Sequence, residues 1–302
     1  MAVPASPPDG EPGVGPAATV EGKPRRIVGL VPMAGRASRL GGLPCSKEIF
    51  PVGFEAGSDG SPRPRPACHP LLQGLASAGV GQVVLVLRAG KWDVPAALGS
   101  GASLGLDLAY VLADDSRSVP ESLARARAWV DGADVALGFP DILLEPADVW
   151  PRLAAFHLGG TWDVSLGCFP TEQAWKADMV DFEQDGRGGP AGDGGAAWRA
   201  GARLRRIVIK DPECALRWTW SIALWRPSFT RFLCRWVASR EEPAESAAEV
   251  YVGDVLRHAL EAGLDVRGLP FADGSFLDIG TPEDLRQAVW RASGREDGGT
   301  AG

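Results

Sequence analysis

The sequence predicts an α/β fold, with a mixed, mostly parallel central sheet and helices on both faces. Three observations predict it. Apolar runs of strand length at 82–87 (QVVLVL), 134–138 (DVALG) and 164–169 lack polar alternation, as strands buried on both faces do. Amphipathic segments of helical length separate them. The chain has 302 residues, 45% of them hydrophobic, enough to fill a large core.

The elements follow in order. Residues 27–32 (IVGLVP) form the first strand, and 70–78 a helix closed by Gly79. The strand at 82–87 is followed by one at 106–112 and a helix at 121–130. The strand at 134–138 leads to a helix at 149–156, and 164–169 is again a strand. The pattern then changes: 179–182 and 204–209 read as paired strands, with 221–225 a further strand. Helices follow at 227–239, opened by Pro227 and Ser228, and at 250–262, closed by Gly263. Short strands at 266–270 and 275–278 precede a last helix at 282–291. Its start is marked by Thr281 as N-cap, Pro282, and the acids Glu283 and Asp284. Residues 1–23 and 293–302 read as disordered tails of a domain spanning 24–292, and 184–203 as a Gly-rich surface insertion.

Composition narrows the function. A net charge of -7 argues against nucleic acid as a partner. No apolar run reaches the roughly 18 residues of a membrane span, and the N-terminus lacks the apolar core of a secretory signal. The five cysteines are scattered without a CxxC pair, which favours neither a zinc site nor a disulfide framework and suits the cytoplasm.

Five constellations carry chemistry. The first strand runs into Met33-Ala34-Gly35-Arg36-Ala37-Ser38-Arg39-Leu40, small residues whose backbone can approach phosphate oxygens and whose arginines can neutralise them. Its spacing matches neither GxGxxG nor a P-loop, and alone it is equally an ordinary strand–helix turn. Lys47, in Ser46-Lys47-Glu48-Ile49-Phe50-Pro51-Val52, is either aimed inward by its apolar neighbours or a surface lysine. Asp141 follows the strand at 134–138, at the sheet edge where open α/β sheets bind ligands, and suits Mg²⁺ or a simple turn. Asp278 ends a strand before a helix that Thr281 already caps. Lys210 ends the strand at 204–209, placed for a second anion or for solvent.

In this order, the residues resemble the sugar-phosphate nucleotidylyltransferases, the family of glucose-1-phosphate thymidylyltransferase and UTP–glucose-1-phosphate uridylyltransferase. The family's AAGxGxRL turn is matched by Met33 to Leu40, and its Pro-Lys-LLPV segment by Ser46 to Val52. Its GD pair corresponds to Pro140-Asp141, its EKP to Ile209-Lys210-Asp211-Pro212, and its DxGTPEDL to Asp278 through Leu285. The resemblance implies a Rossmann-like nucleotidyltransferase domain. Such a domain joins an NTP (dTTP or UTP) to a sugar 1-phosphate, releasing pyrophosphate, with Mg²⁺ as cofactor and homo-oligomers common.

The implied roles follow motif by motif. Arg39 holds the triphosphate and leaving pyrophosphate, and Lys47 bridges it to the attacking phosphate. Met33, Ala34, Gly35, Ala37 and Ser38 line the nucleotide, and Pro120 and Ser122 stand at the base-contacting loop. Lys210 and Ser221 take the sugar phosphate, while Asp141 and Asp278 share Mg²⁺. The chain departs from the pattern at Ala37 and Pro140, both glycine in the family, and at Ile209, where an acid contacts the sugar. A catalytically weak relative that binds a nucleotide or NDP-sugar as a regulator is the alternative. A retaining glycosyltransferase would want a DxD motif, and Asp114-Asp115 is only a DD pair.

Overall fold

The computed structural model describes residues 25–57, 59–183, 201–240 and 249–292. The expected tails at 1–23 and 293–302, and residues 184–200 of the expected insertion, lie outside them. The first strand, β1 (Ile27–Pro32), leads through two short 3-10 turns to a hairpin of β2 (Pro51–Ala56) and β3 (Pro62–Pro66). Then come α1 (His69–Ser77), β4 (Gln82–Leu87), α2 (Asp93–Leu98), β5 (Asp107–Leu112), α3 (Val119–Arg125) and α4 (Arg127–Val130). β6 (Asp134–Leu137), β7 (Ile142–Glu145), α5 (Val149–Leu158), β8 (Val164–Pro170), β9 (Asp178–Phe182), β10 (Ala202–Ile209) and β11 (Trp218–Trp225) follow. The order ends with α6 (Pro227–Ala238), α7 (Val252–Glu261), β12 (Val266–Pro270), β13 (Ser275–Asp278) and α8 (Pro282–Ala292).

Nine strands form one sheet in the order β5-β4-β1-β6-β11-β8-β12-β10-β9. The expectation of a mostly parallel sheet is corrected here. β5, β4, β1 and β6 are parallel, and so are β8 and β12, but β11 is antiparallel to both its neighbours, and so is β10. The physical reason lies in the connections. Parallel neighbours need a crossover, and α1 through α4 supply it in the first half. Among the described residues no helix lies between β8 and β11, so these strands pair antiparallel. β10 shows the matching pattern, with exposed Arg203, Arg205 and Arg206 alternating around buried Leu204 and Ile207.

Helices do cover both faces. Val28 and Leu30 of β1 and Val84 and Val86 of β4 pack in one core with residues of α3, α6 and α7. Ile27, Val31, Val83 and Leu85 face the other core, with α1, α2 and α5. A third, small cluster of Val52, Ala67, Leu277, Ile279 and Ala288 ties the hairpin to β13 and α8. At the N-terminal end of the strands, Trp162 and His157 meet the Ser165 hydroxyl at 2.6 and 2.8 Å, with Asp134 3.6 Å from His157. His157 and Ser165 are fully buried, so this network braces the sheet and is closed to substrate.

Three local expectations change. The helix expected at 121–130 begins earlier and is split, because Ser118 caps α3 at the Glu121 N–H and Ala126 interrupts it. The β2–β3 hairpin was not among the expected elements; it forms a two-stranded ribbon apart from the main sheet, where the three prolines of β3 are tolerated. β7 was also missed, and its pairing with β13 proves central to the site. The expected cap at Thr281 is present: its hydroxyl accepts from the Asp284 N–H (3.2 Å), and Asp284 accepts from the Thr281 N–H (3.1 Å).

Candidate active site

An open cleft of about 390 Å³ lies beyond the C-terminal ends of β1, β4 and β6. Ala34, Gly35, Ser38, Lys47, Ser122 and Asp141, all singled out from sequence, line it. Met33 does not reach it with its side chain: its N–H extends β1 pairing to Val86 O (2.8 Å) and the thioether is core. Pro120 is buried in the first turn of α3, and Ser221 is buried where the β11 register shifts beside Ile222.

Ala37 takes the left-handed conformation, φ 52°, and starts the 3-10 turn Ser38–Leu40. A side chain there costs ~1–2 kcal/mol relative to right-handed backbone. Burial of Leu40, which closes the turn, contributes about as much in the opposite direction. Ala37→Gly is therefore expected to keep turnover and stay within ~1 kcal/mol of the parent in thermal melts, the relieved strain being offset by unfolded-state entropy. Ala37→Val, β-branched, is expected to fall more than ~2 kcal/mol in the same melts.

Lys47 is aimed by its neighbours. Asp93, the first residue of α2, accepts from the Ser46 N–H (2.6 Å) and hydroxyl (2.8 Å), clamping the chain just before Lys47. Glu48, beside it on the cleft lining, is buried and accepts from Lys91 at 2.6 Å. Lys47 Nζ then donates to Asp141 Oδ2. Burial pulls the Lys47 amine down, but Asp141 outweighs it and holds the pKa above the usual lysine value.

Backbone pairing sets Asp141 beside Asp278. β13 runs antiparallel to β7, with Asp278 opposite Ile142, and the Ile279 N–H donates to Asp141 O at 2.8 Å. Burial first, and then the Asp141 charge, push the Asp278 carboxyl up to about 6, against the pull of Lys47 and Arg39. Among the described residues no group of three or more His, Cys, Asp or Glu is arranged to hold a metal ion. What stands at the cleft edge is a carboxylate pair.

Lys210 ends β10 in a left-handed conformation, φ 42°, which turns its side chain off the strand direction. Its amine lies 3.4 Å from the Tyr251 ring centroid. Burial lowers its pKa, Arg39 adds to that, and Asp178, Glu249 and Asp278 oppose it. Arg39 thus stands among Asp278, Lys210 and Tyr251 rather than on the cleft lining.

Arg36, in the small-residue turn read from sequence but given no role there, lines the cleft, and Arg88 and Arg117, which the sequence reading missed, add further positive charge. Arg88 directly follows β4, so the rule that found Asp141 would have found it too. Tyr251 and Asp178 were also missed, and no local motif marks them.

No family model matches the sequence, and no curated protein matches it. Solved structures do match. One, described as a glucose-1-phosphate thymidylyltransferase from Bacillus anthracis in complex with a sucrose, superposes with a TM-score of 0.70 at 16% identity, covering 90% of this chain and 98% of that one. A UDP-glucose pyrophosphorylase complexed with UDP-glucose gives 0.68 at 16% identity, covering 89% and 99%. A UTP-bound UGPase from Acinetobacter baumannii gives 0.66 at 15% identity, covering 88% and 93%. The resemblance read from the motifs is thus borne out in the fold, along nearly the whole length of each.

Proposed function

We propose that this chain transfers a nucleotidyl group from an NTP to a sugar 1-phosphate, releasing pyrophosphate. The observation that carries the reading is the Lys47–Asp141–Asp278 cluster, flanked by Arg39 and Lys210, at the edge of a cleft rich in cations. Both reacting groups are already anions, so the protein need not abstract a proton; it must hold two phosphates together and offset their charge. Arg36, Arg39 and Lys47 serve the triphosphate, and Arg39 also the departing pyrophosphate. Lys47 lies between the two phosphates, and Lys210 holds the attacking one in line with the α-phosphorus. Ala34, Gly35 and the backbone of Met33 carry the nucleoside, with Ala37, Ser38, Pro120 and Ser122 shaping its pocket and Ser221 backing the acceptor side. UTP and dTTP are the nucleotides of this reading, in a cytoplasmic setting; among the described residues no helix is long and apolar enough to cross a membrane.

Mg²⁺ fits the carboxylate pair. It takes one or two carboxylates and fills the remaining positions with phosphate oxygens and water. Asp141 and Asp278 would be two such ligands, set side by side with their mutual repulsion offset by Lys47, Arg39 and Lys210. Bound there, Mg²⁺ would neutralise phosphate charge as the phosphorus–oxygen bonds exchange.

The test is pyrophosphate release with UTP, dTTP, CTP, ATP or GTP against a panel of sugar 1-phosphates. Release is expected to need both substrates and to stop on chelation of Mg²⁺. No release with any pair, alongside measurable NDP-sugar binding, would sink the enzyme reading. It would favour the binding-module alternative, to which Ile209, in the place of an acid, lends support.

A further inference from the structure

Asp178 opens β9 directly across from Ile209, the neighbour of Lys210. Both side chains press on Gly253 at the start of α7. A Cβ built on Gly253 would sit 2.3 Å from Asp178 Oδ2 and 2.7 Å from Ile209 Cδ1, so only glycine lets the helix come this near. Burial pushes the Asp178 carboxyl up to about 6, Lys210 opposes the rise, Asp254 adds to it, and a bond from the Gly253 N–H, which also opposes it, holds one side of the group. The other oxygen, Oδ1, is buried and has no hydrogen-bond partner. Lys210 does not take it up, because its amine rests over the Tyr251 ring. A carboxylate held by one oxygen with the other left buried and idle is an acceptor awaiting a donor.

We propose that Asp178 determines specificity at the acceptor end of the site: its Oδ1 accepts a hydrogen bond from a hydroxyl of a sugar phosphate whose phosphate lies on Lys210. This rests on the proposed function for the nature of the acceptor substrate. Lys210 feels both Asp278 and Asp178, so it links the carboxylate pair to this acid. A phosphate placed on Lys210 therefore directs the rest of its molecule toward Asp178 and Tyr251. Directly opposed residues on paired strands share a face, so Asp178 can supply from β9 the carboxylate that Ile209 lacks on β10. A bare phosphate has no hydroxyl to reach it.

The experiment is calorimetry on the full chain with glucose, galactose, mannose and N-acetylglucosamine 1-phosphates, inorganic phosphate, and UTP. The parent is expected to bind its preferred hexose 1-phosphate at least about tenfold more tightly than inorganic phosphate, and Asp178→Ala to lose that tenfold. Asp178→Asn, whose single oxygen stays with the Gly253 N–H and leaves an NH2 group where Oδ1 stood, should lose most of it as well. Inorganic phosphate and UTP should bind all three proteins within about twofold. On the unaltered protein, one deoxy analogue of the preferred hexose 1-phosphate should reproduce the tenfold loss, which guards against a variant that fails to fold. Equal losses for sugar phosphate and inorganic phosphate, no loss, or no preference by the parent for any hexose 1-phosphate would each overturn the assignment. Sugar-selective binding without pyrophosphate release would remove the activity and leave Asp178 in place. Release that continues in Asp178→Ala with an unchanged sugar-phosphate KM would do the reverse.

Discussion

Asp278→Asn is expected to lose at least about a hundredfold of pyrophosphate-releasing turnover while melting some 2 °C or more above the parent at pH 8 in metal-free buffer. The two effects have one origin. The Asp278 carboxyl is pushed up to about 6 by burial and by Asp141. A carboxyl whose folded pKa lies above its unfolded value of about 3.9 stabilises the fold only while protonated. That stability is fully present below about pH 4 and is lost as pH rises through about 6. At pH 8 the parent carries an unwelcome charge that asparagine lacks, so the variant gains; near pH 4 the two should melt together. The same charge is what the proposed Mg²⁺ site requires of a ligand. Asp141→Asn should also lose turnover, yet it should lose stability too, because it breaks the pair with Lys47. Near-normal turnover in Asp278→Asn would remove that residue from the chemistry.

Lys47→Met is expected to cut kcat by a hundredfold to a thousandfold and to lower stability by ~1–3 kcal/mol. Methionine keeps the stem and its packing, so the change isolates the charge. Without the amine, Asp141 loses its hydrogen-bonded cation in a site that is only about 15% exposed. Under the proposed function, the triphosphate also loses the cation assigned to it at the point of bond exchange. Melting curves and steady-state kinetics with the preferred substrate pair check both parts. A variant with full stability but no turnover would show that the Asp141 contact contributes little, and one with full turnover would exclude Lys47 from the transition state.

Most of the candidate site residues were legible because they follow a strand end or lie in a small-residue turn, a local pattern that open α/β sheets use for ligands. Asp141 and Asp278 were found this way, although only the unexpected β7–β13 ladder explains why they meet. The strands of the parallel block could be read as continuous apolar runs. The antiparallel half could not be oriented, since strand direction follows from connections and not from the composition of β8 through β11. Asp178 and Tyr251 were beyond reach for another reason. Their value lies in a close approach at Gly253 and in the backbone turn at Lys210, and neither leaves a periodic trace. Arg36 and Arg39 exchange emphasis: the former lines the cleft, and the latter stands among Asp278, Lys210 and Tyr251.

The small cluster joining Val52 and Ala67 of the hairpin region to Leu277, Ile279 and Ala288 has a consequence for synthesis. A ribosome delivers Arg39, Lys47 and Asp141 long before β13. Emerging at ~5–20 residues per second, the nascent chain can form the turn and hairpin around Arg39 and Lys47 early but cannot complete the carboxylate pair. Leu277, Ile279 and Ala288 arrive much later, pack against the hairpin region and bring Asp278 with them.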